Sequence, residues 1–174
     1  MKSFPLVFAL VTVTAAAAAQ PPQTVEAGSI PNYRLLQPGL ATAGQPAPEA
    51  LAKLKDMGFR TVVNLRTEQE GTADERKLVE GEGLRYVSVP VTAESLSLAD
   101  AEAVEKVIQD PSSAPVLLHC ASSNRVGAVW ALIQARQGKT MDEALAAGRE
   151  AGLRSPQLEA AVRRLVGSPA PAAP

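Results

Sequence analysis

Residues 115–119 (PVLLH) form a continuous apolar run, and the loop and apolar segment after it limit the folds open to this chain. Ala121, Ser122, Ser123 and Asn124 separate Cys120 from a long apolar segment that begins at Arg125 (RVGAVWALIQA). A short apolar run without alternation is the pattern of a strand buried on both faces, as in a parallel sheet. The segment after the loop has helical length, and Gly138 closes it. Strand, tight loop and buried helix together predict an α/β domain. Its central strand delivers Cys120 to the carboxyl end of the sheet, where ligands of such sheets bind.

The rest of the chain supplies matching parts. Residues 33–36 and 40–43 are short apolar runs split by Pro38 and Gly39, which predicts a hairpin or an edge strand with a turn. Pro48 opens a helix expected to reach Asp56, with Leu51, Leu54 and Met57 at helical spacing and Gly58 as its stop. Residues 60–65 (RTVVNL) and 84–91 (LRYVSVPV) read as strands. Between them, residues 72–82 read as a charged helix, with Thr72 as cap and Glu75 three residues on. The same spacing recurs at Ser97 and Asp100, before a helix over 98–109 with Ala101, Val104, Val107 and Ile108 facing inward. Thr140 caps a helix over 141–151, and Ser155 and Pro156 start a last one that runs to about Val166. Strands alternating with helices predict a three-layer domain: a mostly parallel sheet of four to five strands, flanked by helices.

The chain has 174 residues, enough for one domain and its tails. Its net charge of −1 excludes a global field for nucleic acid or a polybasic membrane patch, so an anionic ligand must be held by a local site. The N-terminus reads as an export signal: Lys2, an apolar stretch over 4–13, then a run of alanines ending at Ala19, where cleavage is expected. The apolar stretch is shorter than the ~20 residues of a membrane span, so a stable membrane anchor is not expected. The predicted organisation is a signal peptide over 1–19, a flexible leader over 20–29, a domain over 30–166 and a disordered tail over 167–174. The expected location is the periplasm or the medium. Cys120 is the sole cysteine, which rules out an internal disulfide and marks a reactive thiol in an oxidising compartment.

The loop from Cys120 to Arg125 brings together what anion chemistry needs. Backbone N–H groups turning into a helix start can converge on one point. The helix dipole adds positive potential there and lowers the pKa of a cysteine. Arg125 at the helix start offers a two-pronged guanidinium to a tetrahedral oxyanion. Thiolate, N–H cradle (Ala121, Ser122, Ser123, Asn124) and guanidinium suit covalent phosphoryl transfer or sulfur transfer. The sole histidine, His119, points away from Cys120 by strand alternation and is expected to hold the loop from behind. Asn124 either braces the loop or caps the helix, and Arg66 either faces an anionic substrate or pairs with Glu68 or Glu70. No cofactor and no metal is called for.

Gly44-Gln45-Pro46, residues 58–66 (GFRTVVNLR) and His119-Cys120 with Asn124-Arg125-Val126-Gly127 resemble, in this order and spacing, the phosphatase-like domain of beta-lactamase-hydrolase-like proteins, over about residues 30–145. That family belongs to the dual-specificity and protein tyrosine phosphatase superfamily. The resemblance implies a cysteine-dependent phosphatase fold, Cys120 as nucleophile and Arg125 as phosphate-binding arginine. Two departures stand out. Four residues lie between Cys120 and Arg125, against five in active tyrosine phosphatases, and Ser123 stands where the family commonly has glycine. The second departure is that the superfamily's aspartic general acid is missing from residues 89–95, where Glu94, the nearest carboxylate, is either the acid or a solvated loop residue. The expected function is phosphomonoester hydrolysis through a phosphocysteine, acting on a phosphate-containing small molecule or a phosphoprotein. The alternatives are a sulfurtransferase or persulfide carrier using the same cysteine, or a catalytically weak anion-binding module.

Overall fold

The computed structural model describes residues 30–167. The expected signal peptide and leader and nearly all of the expected tail lie outside them. Five strands form one sheet: β1 (Arg34–Gln37), β2 (Leu40–Ala43), β3 (Thr61–Asn64), β4 (Arg85–Ser88) and β5 (Val116–His119). Their order is β1-β2-β5-β3-β4, with only the β1–β2 pair antiparallel. The apolar run of β5 thus occupies the centre, with His119 level with Ala43 on one side and Asn64 on the other.

Helices cover both faces. On one face lie α1 (Pro48–Leu51) and α2 (Thr72–Gly81), packed on Ala41, Ala43, Val62, Tyr86 and Leu117. On the other lie α3 (Leu98–Gln109), α4 (Asn124–Arg136), α5 (Met141–Glu150) and α6 (Pro156–Gly167), packed on Leu40, Val63, Leu65, Val116 and Leu118. The alternation of each strand sorts these two sets. α4 is the inner helix of its layer, with residues 126–134 all buried, Trp130 among them. The helix lies against α5 at Gly127, where an added Cβ would run into the backbone of Gly148 and Leu153.

Three sequence expectations change. α1 ends at Leu51, because Lys53 and Leu54 bond back three residues to Ala50 and Leu51 rather than four, and a series of turns carries the chain to Gly58. The strand expected over 84–91 is regular only at Arg85–Ser88. Thr72 and Glu75 form no capping box: Gly71, at φ 79°, precedes α2, and the box forms one turn earlier, between Thr67 and Glu70 on a 3-10 turn (Glu68–Glu70). The boxes expected at Ser97 with Asp100 and at Thr140 with Glu143 are both present.

Candidate active site

Cys120 comes directly after β5, and its side chain is fully buried on the α3–α6 face. The loop after it is tied down on both sides. Gln45 donates its backbone N–H to the Ala121 carbonyl at 3.1 Å, Gly44 bridges to Ser122, and the Asn32 amide reaches the Ser122 carbonyl at 3.4 Å. On the opposite side, the Asn124 side-chain oxygen accepts the backbone N–H groups of Arg154 at 2.6 Å and Ser155 at 2.8 Å. Its amide nitrogen donates to the Ser122 hydroxyl at 3.2 Å. Asn124 therefore braces the loop against the start of α6, which settles the alternative left open by the sequence.

Ser123 is the residue just before α4, at φ 70° and ψ −7°. This is the left-handed region that favours glycine. The side chain is buried and its hydroxyl has no partner among the described residues. Gly152, at φ 119°, makes room for it: a Cβ there would lie 2.5 Å from that of Ser123.

Arg125 is gripped before any ligand arrives. Its Nη1 and Nη2 donate to the two carboxylate oxygens of Glu70, each at 2.7 Å. Nη1 also donates to the carbonyls of Val91 at 3.1 Å and Leu65 at 3.3 Å. A guanidinium has five N–H groups, and these contacts use its end and one flank. The flank left over carries Nε–H and the second Nη2–H, a side-on fork of the kind that takes an oxyanion through two parallel bonds. The pair is strong: Arg125 holds the Glu70 carboxyl down at about 2. Glu70 in turn raises the Arg125 pKa, with the nearby Cys120 adding to the effect.

Behind the sheet, on the α1–α2 face, lies a second polar cluster. The Glu75 carboxylate is 4% exposed and sits 2.7 Å from His119 Nε2. It also accepts from the amides of Asn64 at 2.9 Å and Gln45 at 2.8 Å, and from Arg66 Nη1 at 3.3 Å. Asn64 Nδ2 additionally donates to the Tyr86 hydroxyl at 2.8 Å. Burial alone would raise the Glu75 pKa, but His119, with Gln45 and Arg66 behind it, outweighs burial and holds it low. Arg66 donates as well to the Gln45 side chain at 2.7 Å and to the Glu70 backbone carbonyl. It pairs with Glu75 and Glu70, not Glu68. A cavity of about 320 Å³ between α1 and α2 borders this cluster, with Leu51, Leu78 and Pro46 on its apolar side. Nothing local in the sequence marks Glu70 or Glu75 as site residues, because Glu70 meets Arg125, and Glu75 meets His119, Asn64 and Gln45, across the sheet order.

Glu94, the acid candidate, sits on the exposed β4–α3 loop and accepts from Gln157 at 3.0 Å. Hydrogen bonds from its own backbone N–H and from Thr92 lower its pKa. No cluster of metal-ligating side chains occurs among the described residues.

Residues 32–137 match the family described as beta-lactamase hydrolase-like protein, phosphatase-like domain. The chain belongs to this family. A beta-lactamase hydrolase-like protein of Xylella fastidiosa is 32% identical over 119 residues, which cover 65% of this chain and 27% of that protein. One from Agrobacterium fabrum is 27% identical over 105 residues, covering 58% and 24%. The chain thus spans about a quarter of the length of the curated relatives it matches. Among solved structures, P. aeruginosa TpbA aligns with a TM-score of 0.64 at 24% identity, over 87% of this chain and 91% of that one. The S. cerevisiae phosphatase Siw14 aligns with a TM-score of 0.62 at 14% identity, over 76% and 84%. These likenesses show the fold: the α/β sheet of tyrosine-phosphatase-like proteins, as the sequence led one to expect.

Proposed function

We propose that this chain is an exported cysteine-dependent phosphatase that hydrolyses phosphomonoesters. The observation that carries the proposal is the Cys120 loop: a lone cysteine at the foot of α4, beside an arginine whose one open flank is a two-pronged oxyanion fork. In the proposed reaction the Cys120 thiolate attacks phosphorus. The bond to the ester oxygen breaks and a phosphocysteine forms. Water then attacks phosphorus, releasing phosphate and restoring the thiolate. Arg125 binds two of the phosphoryl oxygens through both steps. Ala121, Ser122, Ser123 and Asn124 supply the backbone of the cradle, and the α4 N-terminus adds positive potential.

Glu94 is the carboxylate proposed to meet the leaving oxygen, but its lowered pKa leaves it ionised near neutrality, when a donor must be protonated. General acid catalysis contributes about 10²–10⁴-fold. Substrates whose leaving group needs no proton should therefore react best, which favours aryl over alkyl phosphates. Phosphotyrosine bound to TpbA is consistent with an aryl phosphate, whether free or on a protein.

Hydrolysis of p-nitrophenyl phosphate tests the proposal. The wild-type protein should turn it over, and Cys120→Ser should not. No turnover above background by the wild type overturns the reading. A gain of one sulfur atom on Cys120 after thiosulfate treatment, in a protein without phosphatase activity, would move the function to sulfur transfer. Export is tested separately: the periplasmic protein should begin at Gln20, and a full-length protein found in the cytoplasm would refute it.

A further inference from the structure

We infer that Glu75, on the sheet face opposite Cys120, is a positioning residue of the Cys120 site and acts through His119 and Arg66. The inference rests on the phosphatase reading for its kinetic arm only.

Glu75 lies in the first turn of α2, yet its carboxylate gathers the ends of three strands. Gln45 lies just past β2, Asn64 ends β3 with Arg66 just beyond, and His119 ends β5. Each of these ends leads into a part of the site. The Gln45 backbone N–H holds the Ala121 carbonyl. Arg66 holds the Glu70 carbonyl, and the Glu70 carboxylate holds Arg125. His119 is bonded directly to Cys120 in the chain. One buried carboxylate is thus the common acceptor behind loop, fork and nucleophile.

The chemistry of the cluster also fixes the imidazole. Asn64, Gln45 and Arg66 meet Glu75 as donors, so the carboxylate can only accept, and the proton in the 2.7 Å contact belongs to His119 Nε2. Nε2 is the ring nitrogen that approaches the carboxylate, at 2.7 Å but off the line of a hydrogen bond, while Nδ1 is buried without a partner among the described residues. Glutamine at position 75 cannot replace this. Both carboxylate oxygens face donors, so a side-chain NH₂ at either place meets N–H groups, and a buried polar group left unmatched is costly.

His119 and Cys120 are the only histidine and cysteine in the sequence, so each gives a single signal. Nitrogen–proton correlation NMR on the wild-type protein should show the His119 ring carrying its proton on Nε2. In Glu75→Gln that signature should change, and kcat for p-nitrophenyl phosphate should fall about tenfold or more with KM little altered. Glu80→Gln, on the exposed side of the same helix, should leave both unchanged. A folded Glu75→Gln protein with wild-type kcat overturns the inference. So does a wild-type ring protonated on Nδ1 alone, a result that needs no variant to fold. If the wild type turns over no aryl phosphate, the phosphatase reading fails by itself. Inorganic phosphate then takes its place as the probe: the rise in Tm it gives the wild type must shrink in Glu75→Gln, and an equal rise in both overturns the positioning role.

Discussion

Replacing Ser123 with glycine should stabilise this protein. Ser123 holds φ 70° just before α4, with its hydroxyl buried and unpartnered among the described residues. The left-handed conformation costs a residue with a Cβ about 1–2 kcal/mol. A buried hydroxyl without a partner costs about 1–3 kcal/mol more. Against these stand the extra backbone entropy of glycine, about 0.5–1 kcal/mol, and the lost packing of one Cβ on Gly152. The balance is a gain of about 1–2 kcal/mol, which for a domain of this size raises Tm by about 3–6 °C. Thermal melts of the two proteins, followed by circular dichroism at neutral pH, measure it. The partner position supplies a check of the geometry. Gly152→Ala should be strongly destabilising, because its Cβ would meet that of Ser123 at 2.5 Å and its φ of 119° excludes a side chain. In the double variant the Cβ–Cβ clash is gone but the unfavourable φ remains, so part of that loss should return. An unchanged or lowered Tm in Ser123→Gly, or strictly additive effects of the two changes, would refute the reasoning.

Further expectations concern Glu70 and Asn124. Glu70→Gln keeps the shape but removes the charge opposite Arg125. Aryl phosphate turnover should fall about tenfold or more, the loss expected for a charge-assisted bond pair, as steady-state kinetics would show. The folded-state pKa of Glu70, about 2, lies below its ordinary 4.5. The stability it supplies is therefore fully present above pH 4.5 and is lost as pH falls towards 2. Urea melts across that range should show the loss in the wild type and a smaller one in Glu70→Gln. Asn124→Ala leaves the N–H groups of Arg154 and Ser155 without their acceptor and should cost about 1–3 kcal/mol in the same melts.

The parts of the fold that could be read from the sequence are those whose causes are local. The boxes at Ser97 with Asp100 and at Thr140 with Glu143 need only their own turn, and both form. The central place of β5 came from its unbroken apolar run, and the direction of His119 from strand alternation. Thr72 and Glu75 have the same spacing as those boxes, but the carboxylate is drawn into the sheet by His119, Asn64, Gln45 and Arg66, residues 9 to 44 positions away in the chain. Local spacing cannot register that competition. Glu70 was visible as a possible partner of Arg66, but its grip on Arg125 spans 55 positions and depends on β3 lying beside β5. α1 ends short of the length its sequence predicts for a related reason. Leu51 and Leu54 are both buried as helical spacing suggests, but the backbone between them tightens to bonds three residues apart.

The clamp on Arg125 has a consequence in time. Leu65 and Glu70 follow β3 and Val91 follows β4, and together they hold the guanidinium from the side away from its open flank. An arriving oxyanion finds the fork already held in place by these contacts, with no swing of the Arg125 side chain to wait for. Capture of a small anion should therefore be a single fast step that speeds up in proportion to ligand concentration, without the plateau that a closing motion imposes, and the pace of turnover should be left to the bonds at phosphorus.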